Sequence, residues 1–132
     1  MPRVLIIDDE EDIRDVLNEV LTRAGFEVEV ASTGDGGIDK LHRKPANLIV
    51  IDIIMPGKDG VATIREIREE FPKSKIIAIS GGGNFGPDAY EPNTIKTTAY
   101  LAAAVEAGAD VILPKPFDRE DLIQTITALT AG

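Results

Sequence analysis

Short apolar runs alternate with segments of helical periodicity along the chain. The runs that predict strands are Val4–Ile7, Glu27–Ala31, Leu48–Ile51, Lys75–Ser80 and Val111–Leu113. All but the second are nearly continuous in apolar residues, as expected for strands that helices cover on both faces. The second alternates glutamate with valine, which predicts a strand at the edge of the sheet. This alternation of strands and helices is typical of an α/β fold with a parallel sheet, in which the strand order 2-1-3-4-5 would place the second strand at an edge.

Amphipathic segments between and after these runs predict five helices. They cover Glu10–Ala24, Gly34–Arg43, Val61–Phe71, Thr94–Ala107 and a last helix that follows Asp118 and ends near Thr130. Asp118 is the expected N-cap of that last helix. A long loop over residues 81–93 follows the fourth strand, and loops of this length in compact domains are often functional. No repeat, linker or second domain is apparent, so we expect one domain over residues 1–132 without an output domain.

Composition limits the class of protein further. A chain of 132 residues can bury the core of one domain, and the absence of cysteine excludes disulfides, thiolate metal sites and a cysteine nucleophile. The apolar runs are much shorter than the roughly 20 residues that a membrane-spanning helix needs. We therefore expect a cytoplasmic protein without membrane insertion. The formal net charge of −9 disfavours direct binding to the phosphates of nucleic acids.

Ionisable side chains directly follow the ends of three predicted strands. Asp8 and Asp9 follow the first strand, Asp52 follows the third, and Lys115 comes just after the fifth. Because sites in open α/β sheets form at the carboxyl ends of the strands, we expect these side chains to gather there. Carboxylate oxygens are ligands that Mg²⁺ prefers. An alternative for Asp9 is that it caps the first helix, but capping leaves Asp8 and Asp52 unexplained.

Asp52 is the candidate nucleophile of this cluster. A carboxylate can accept a phosphoryl group as an acyl phosphate, and the transfer needs mainly positioning and charge neutralisation. Lys115 would add a point charge, and Ser80, at the end of the fourth strand, would donate a hydrogen bond to the same group. The structural alternatives are a serine that merely ends a strand and a lysine exposed in a rigid loop between two prolines.

These motifs, taken in order, resemble those of the receiver domain of two-component response regulators. The matching residues are Asp8-Asp9, Asp52, Ser80 and Lys115-Pro116-Phe117, and the resemblance covers essentially the whole chain. It implies a flavodoxin-like fold, a (βα)5 three-layer sandwich with a parallel five-stranded sheet in the order 2-1-3-4-5.

The resemblance also implies a role for each site residue. Asp52 would be the phosphoacceptor, while Ser80 and Lys115 would bind the phosphoryl group and convert its arrival into a conformational change. Mg²⁺, with Mn²⁺ as a substitute, would be held by Asp8, Asp9, Asp52 and the backbone carbonyl of Ile54.

Partners follow from the same resemblance. The phosphoryl donor would be a histidine kinase or a histidine phosphotransfer protein in a phosphorelay. The protein would be a stand-alone receiver, not an enzyme, and its output would be contact with a downstream protein. The exposed side of the first helix, including Arg14 and Asn18, is the implied donor surface. The fourth helix, fifth strand and fifth helix form the implied signalling face. His42, the only histidine, is interpreted as a solvated residue and not as a phosphotransfer group.

Two features depart from the family pattern. Ile112 stands three residues before Lys115, where family members often carry an aromatic ring that swings inward on phosphorylation. The loop Gly81–Asn93 also exceeds the family's usual connection. We hypothesise that this loop replaces the aromatic ring as the readout, and a passive insertion is the alternative.

Two rival functions remain from the sequence. One is a small Mg²⁺-dependent phosphohydrolase that works through an aspartyl phosphate, with its nucleophile in Asp8-Asp9. The other is a degenerate receiver that acts as a constitutive binding module. The intact set of Asp52, Ser80 and Lys115 argues against the second, and the lack of an obvious cap or substrate pocket argues against the first.

Overall fold

The computed structural model describes residues 2–53, 60–80, 102–114 and 117–131. Its strands are β1 (Arg3–Ile7), β2 (Glu27–Ala31), β3 (Leu48–Asp52), β4 (Lys75–Ser80) and β5 (Val111–Pro114). Its helices are α1 (Glu11–Arg23), α2 (Gly34–Arg43), α3 (Gly60–Glu70), α4 (residues 102–107) and α5 (Arg119–Thr130).

The five strands form one parallel sheet in the order β2-β1-β3-β4-β5. This is the predicted order, and the alternating strand β2 lies at the edge as expected. Every residue of the central strand β3 is buried, whereas most of β2 is only half-buried. The difference follows from position, because a central strand is covered on both faces and an edge strand has one open side.

Two apolar clusters lie on opposite faces of the sheet and make it a three-layer sandwich. On one face, α2, α3 and α4 cover alternate strand residues such as Leu5 and Ile7. On the other face, α1 and α5 cover the intervening residues Val4 and Ile6, using buried side chains that include Leu17 and Leu122. The flavodoxin-like fold predicted from the sequence is therefore confirmed.

The ends of several elements differ from the prediction by a residue or two. β3 continues through Asp52, so this carboxylate belongs to the strand itself. Helix α3 starts at Gly60 instead of Val61. The predicted fourth helix began at Thr94, and the part before residue 102 lies outside the described residues, as does the loop over residues 81–93.

The caps of the helices differ in the side-chain contacts that they make. The N-cap of α1 is Glu10, whose side chain makes no capping hydrogen bond, so the structure does not support the alternative in which Asp9 caps this helix. Asp118 is the N-cap of α5 as expected, but its side chain makes no capping hydrogen bond either. Thr33 caps α2 with its side chain, since its Oγ1 accepts a hydrogen bond from the Gly36 N–H at 3.0 Å.

One arginine joins the loops at the amino ends of β4 and β5. Arg68, near the end of α3, donates to the Gly108 carbonyl at 2.7 and 3.2 Å and to the Pro72 and Ser74 carbonyls at 2.9 Å. It also pairs with the Asp110 carboxylate at 2.8 Å. These contacts fix the end of the sheet opposite the carboxyl ends of the strands.

Candidate functional site

The carboxyl ends of β1 and β3 place Asp8 and Asp52 side by side. Ile7 pairs with Ile51 in the parallel ladder, and each aspartate is the next residue in its chain. Neighbouring strands lie about 4.8 Å apart, so the two aspartates start from adjacent backbone positions. The Asp8 N–H continues the ladder on the other side by donating to the Ala31 carbonyl at 3.1 Å.

Three carboxylates meet at this point. Asp8, Asp9 and Asp52 each offer one oxygen, and these three oxygens lie within 4.8 Å of one another. Asp8 is 0% exposed and Asp52 is 1% exposed, whereas Asp9 is exposed. Like charges this close oppose one another, and burial adds a desolvation cost, so the group of carboxylates favours a cationic partner.

The donor set fits a hard divalent cation. Mg²⁺ binds oxygens at about 2.0–2.1 Å, so two ligands on opposite sides of the ion are about 4.2 Å apart. Only one pair among three octahedral ligands can be opposite, and adjacent ligands are about 2.9 Å apart. The three oxygens, within 4.8 Å of one another, therefore need to close by up to about 2 Å to reach that geometry. The predicted meeting of Asp8, Asp9 and Asp52 is therefore confirmed, and the group can bind a metal ion.

The turn between β1 and α1 holds Asp8 by further contacts. Oδ1 of Asp8 accepts a hydrogen bond from the Glu10 N–H at 2.9 Å. Nη1 of Arg14 donates to the backbone carbonyl of Asp8 at 2.9 Å. Arg14, which the sequence predicts on the exposed side of the first helix, is half-buried, and its side chain reaches back to the site.

A glycine lies against the backbone that carries Asp52. The N–H of Gly60 donates to the Ile53 carbonyl at 3.2 Å. A Cβ on Gly60 would lie 2.3 Å from Cα of Ile53 and 2.5 Å from the carbonyl oxygen of Asp52. Helix α3 thus starts in direct contact with the end of β3, and only glycine fits at this approach.

The other predicted site residues are only partly described. Ser80 ends β4 and pairs with Pro114 in the ladder, but its side chain lies outside the described residues. Lys115 and Ile54 also lie outside them. Lys115 follows Pro114 directly in the chain, and Asp52 pairs with Ile79, the residue before Ser80. The ladder therefore brings the backbones of these three strand ends to one edge.

Two predictions about individual side chains have a structural outcome. Ile112, which stands in place of the family's aromatic ring, is half-buried and packs against the core cluster on the α2–α4 face. His42 is exposed, yet its Nε2 lies 3.2 Å from the Glu70 carboxylate and its ring lies 5.5 Å from that of Phe71. This histidine belongs to the contact between α2 and the end of α3.

Comparisons with known proteins agree with this fold. A family model described as the response regulator receiver domain matches residues 4–91. PetR of Rhodobacter capsulatus is 34% identical over 128 residues, which are 97% of this chain and 48% of PetR. The crystal structure of the receiver domain of NtrX from Brucella abortus has a TM-score of 0.80 at 28% identity, over 96% of this chain and 97% of that one. The chemotaxis protein CheY4 of Vibrio cholerae has a TM-score of 0.80 at 25% identity, over 98% of both chains.

The chain spans about half or less of the length of the curated relatives that it matches. Among the described residues, each helix is too short or too polar to cross a membrane.

Proposed function

The chain belongs to the response regulator receiver domain family, and we propose that it works as a phosphoacceptor whose acceptor atom is a carboxylate oxygen of Asp52. The observation that carries this proposal is the meeting of three carboxylates at the ends of β1 and β3, with Asp52 buried among them. A buried aspartate beside two further carboxylates has a structural cost, and a cation-dependent phosphoryl site explains why the chain carries it.

The proposed reaction is a transfer from nitrogen to oxygen. An oxygen of Asp52 attacks the phosphorus of a phosphohistidine on the donor protein, and the new O–P bond forms as the N–P bond breaks. The histidine nitrogen keeps the electron pair of the broken bond and then takes up a proton. The product is an acyl phosphate on Asp52, which water hydrolyses to restore the carboxylate and release inorganic phosphate.

Mg²⁺ is the proposed ion, and Mn²⁺ would fit the same oxygen ligands. Asp8, Asp9 and Asp52 would hold it together with the backbone carbonyl of Ile54. When bound, the ion neutralises charge on the phosphoryl oxygens. Asp8 and Asp9 then act as ion ligands, and burial of Asp8 limits the movement of its carboxylate.

Ser80 and Lys115 complete the proposed site. The hydroxyl of Ser80 would donate to a phosphoryl oxygen, and the ammonium of Lys115 would pair with another. Their movement toward the phosphoryl group would carry the signal into β4, β5 and α4. Ile112 has no ring to report this movement, so the loop over residues 81–93 is the proposed readout.

Receiver domains exchange phosphoryl groups with histidine kinases and act on downstream effectors, and we propose the same two classes of partner here. The groove between α1 and α5 supports donor docking at that face: it has a volume of about 450 Å³ and includes Val16, an apolar side chain that is 58% exposed. The proposed setting is the cytoplasm, and the proposed output is protein contact by a non-enzymatic receiver.

A donor-transfer experiment tests this function against the hydrolase alternative. A purified histidine phosphotransfer domain carrying phosphohistidine is mixed with the protein, and label is followed on both chains. We expect stoichiometric labelling of wild type and of Asp39→Asn, a surface control, and none of Asp52→Asn. Catalytic turnover of p-nitrophenyl phosphate that survives Asp52→Asn would instead support a phosphohydrolase.

A further inference from the structure

We propose that Arg14 is a positioning residue for the cation site: its guanidinium fixes the turn that carries Asp8 and Asp9 and thereby sets the affinity for the divalent ion. This inference rests on the proposed use of the two aspartates as ligands. Arg14 touches neither the reacting carboxylate of Asp52 nor a carboxylate oxygen of Asp8 in the contacts that the structure describes, so its proposed effect passes through the backbone.

The contact joins the first turns of α1 to the end of β1. Arg14 is the fourth residue of α1, and its own N–H donates to the Glu10 carbonyl at 3.0 Å. Its Nη1 reaches back across the turn to the Asp8 carbonyl at 2.9 Å. The side chain is half-buried, so this hydrogen bond is only partly exposed to competition from water.

Asp8 is thereby held at three atoms. Its N–H donates to Ala31 at 3.1 Å, its carbonyl accepts from Arg14, and Oδ1 accepts from the Glu10 N–H at 2.9 Å. Without the guanidinium, the carbonyl of Asp8 loses its charged donor, and the peptide that leads to Asp9 becomes free to rotate. Contacts that orient metal ligands commonly change metal affinity by about 10–100-fold when they are removed.

The charge pattern sharpens the argument. Arg14 is the only basic residue between Arg3 and Arg23, in a stretch that holds seven acidic residues: Asp8, Asp9, Glu10, Glu11, Asp12, Asp15 and Glu19. An arginine among so many acids has carboxylates available, yet its side chain bonds to a backbone carbonyl. Its positive charge alone would repel a divalent cation, so removal of the charge should strengthen ion binding slightly. A positioning role predicts instead that removal of Arg14 weakens ion binding, so the direction of the change in Mg²⁺ affinity separates the two effects.

The test compares Mg²⁺ affinity by titration calorimetry in wild type, Arg14→Gln and Arg23→Gln. Arg23 is a matched control, because it lies in the last turn of the same helix, is 79% exposed and pairs with Glu19 at 2.8 Å. We expect Arg14→Gln to raise the Mg²⁺ dissociation constant about 5-fold, which is the orienting effect reduced by the relief of repulsion. Arg23→Gln should change it by less than about 1.5-fold, because an exposed charge more than one turn away is screened.

Amide exchange gives a second readout that does not involve the ion. The Glu10 N–H, which bonds to Asp8 Oδ1, should exchange about 10-fold faster in Arg14→Gln than in wild type or Arg23→Gln. Unchanged exchange at Glu10, or Mg²⁺ binding by Arg14→Gln that equals or exceeds that of wild type, would overturn the proposal.

Arg14→Lys covers the case in which Arg14→Gln does not fold. Lysine keeps the charge but replaces the planar guanidinium by a single ammonium on a side chain of different length, so we expect the affinity for Mg²⁺ to fall about 2-fold. An affinity equal to or above that of wild type would overturn the positioning role. If wild type and the Asp8→Asn variant bind Mg²⁺ equally well, the proposed cation site fails. If Asp8→Asn weakens Mg²⁺ binding and Arg14→Gln does not, the cation site stands and the proposed role of Arg14 alone fails.

Discussion

Replacement of Gly60 by alanine should damage both the fold and the site. The added Cβ would lie 2.3 Å from Cα of Ile53, 2.5 Å from the Asp52 carbonyl oxygen and 3.0 Å from the Ile53 carbonyl carbon. All three are backbone atoms, which cannot turn aside as a side chain can. Either the start of α3 must retreat or the end of β3, which carries Asp52, must move.

The magnitude follows from the kind of contact that is lost. Overpacking a well-packed site costs about 1–3 kcal/mol, and backbone contact places this case at the upper end. The Gly60 N–H to Ile53 carbonyl bond of 3.2 Å would lengthen, and its contribution of about 1 kcal/mol is part of this cost. Alanine gains little helix propensity at the first residue of a helix, where several N–H groups have no helical partner. We therefore expect a loss of about 3 kcal/mol in the free energy of unfolding.

Urea denaturation followed by circular dichroism measures this loss. With a slope of about 1–3 kcal/mol per molar urea, the midpoint should fall by roughly 1–3 M while the slope stays constant. Gly36→Ala is the matched control, since the atom of the described residues that its Cβ would meet is a side-chain oxygen, Oγ1 of Thr33, at 3.0 Å. A Gly60→Ala protein within about 0.5 kcal/mol of wild type would refute the reasoning, because ordinary surface substitutions fall in that range.

Three further predictions concern the hydrogen bonds of Arg68, the ion pairs of Glu27 at the sheet edge and the cation site. Arg68→Met should lower the free energy of unfolding by about 2–3 kcal/mol in urea, because it strips charged donors from several loop carbonyls, whereas Arg65→Met, an exposed change on the same helix, should cost under about 0.5 kcal/mol. Side-chain hydrogen bonds from Arg3 and Lys44 lower the pKa of Glu27 below its ordinary 4.5, so its contribution to stability is complete above pH 4.5 and is lost as pH falls through the lower folded pKa. Glu27→Gln should therefore flatten the dependence of the urea midpoint on pH in acid. An unchanged dependence of the midpoint on pH would contradict this. Saturating Mg²⁺ should raise the urea midpoint of wild type but not of Asp8→Asn, and an equal rise in both would place the ion elsewhere.

The sequence predicted the sheet and the meeting of the carboxylates because both depend on simple periodic signals. Continuous apolar runs identified the buried strands, and the alternation over Glu27–Ala31 identified the edge strand. Once the strands are parallel, their carboxyl ends must share one edge, so Asp8 and Asp52 could be placed together without any side-chain geometry.

Local contacts in turns were beyond the same reasoning. The sequence left open the alternative that Asp9 caps the first helix; the turn places Glu10 at that position, and only the backbone of the turn decides between them. Arg14 looked like one more polar residue on an exposed helix face, and no periodic signal shows that its side chain reaches back to Asp8. The closeness of Gly60 to the end of β3 likewise depends on the angle at which α3 starts.

Long-range polar contacts were missed for a related reason. Arg68 and Gly108 are separated by 40 residues, and their contact arises only when α3 and the loop before β5 meet at one end of the sheet. Sequence patterns of helical period describe faces of helices, whereas this contact involves a helix end and a backbone carbonyl. The pairing of His42 with Glu70 across α2 and α3 has the same origin.

The role of Asp52 as phosphoacceptor is tested by intact mass after incubation with acetyl phosphate. Wild type, Asp52→Asn and the surface control Asp39→Asn are each incubated with and without Mg²⁺. We expect a gain of one phosphoryl group in wild type and Asp39→Asn, only with Mg²⁺, and no gain in Asp52→Asn. A gain of the same size in Asp52→Asn would contradict the account, because the acceptor would then be a different residue.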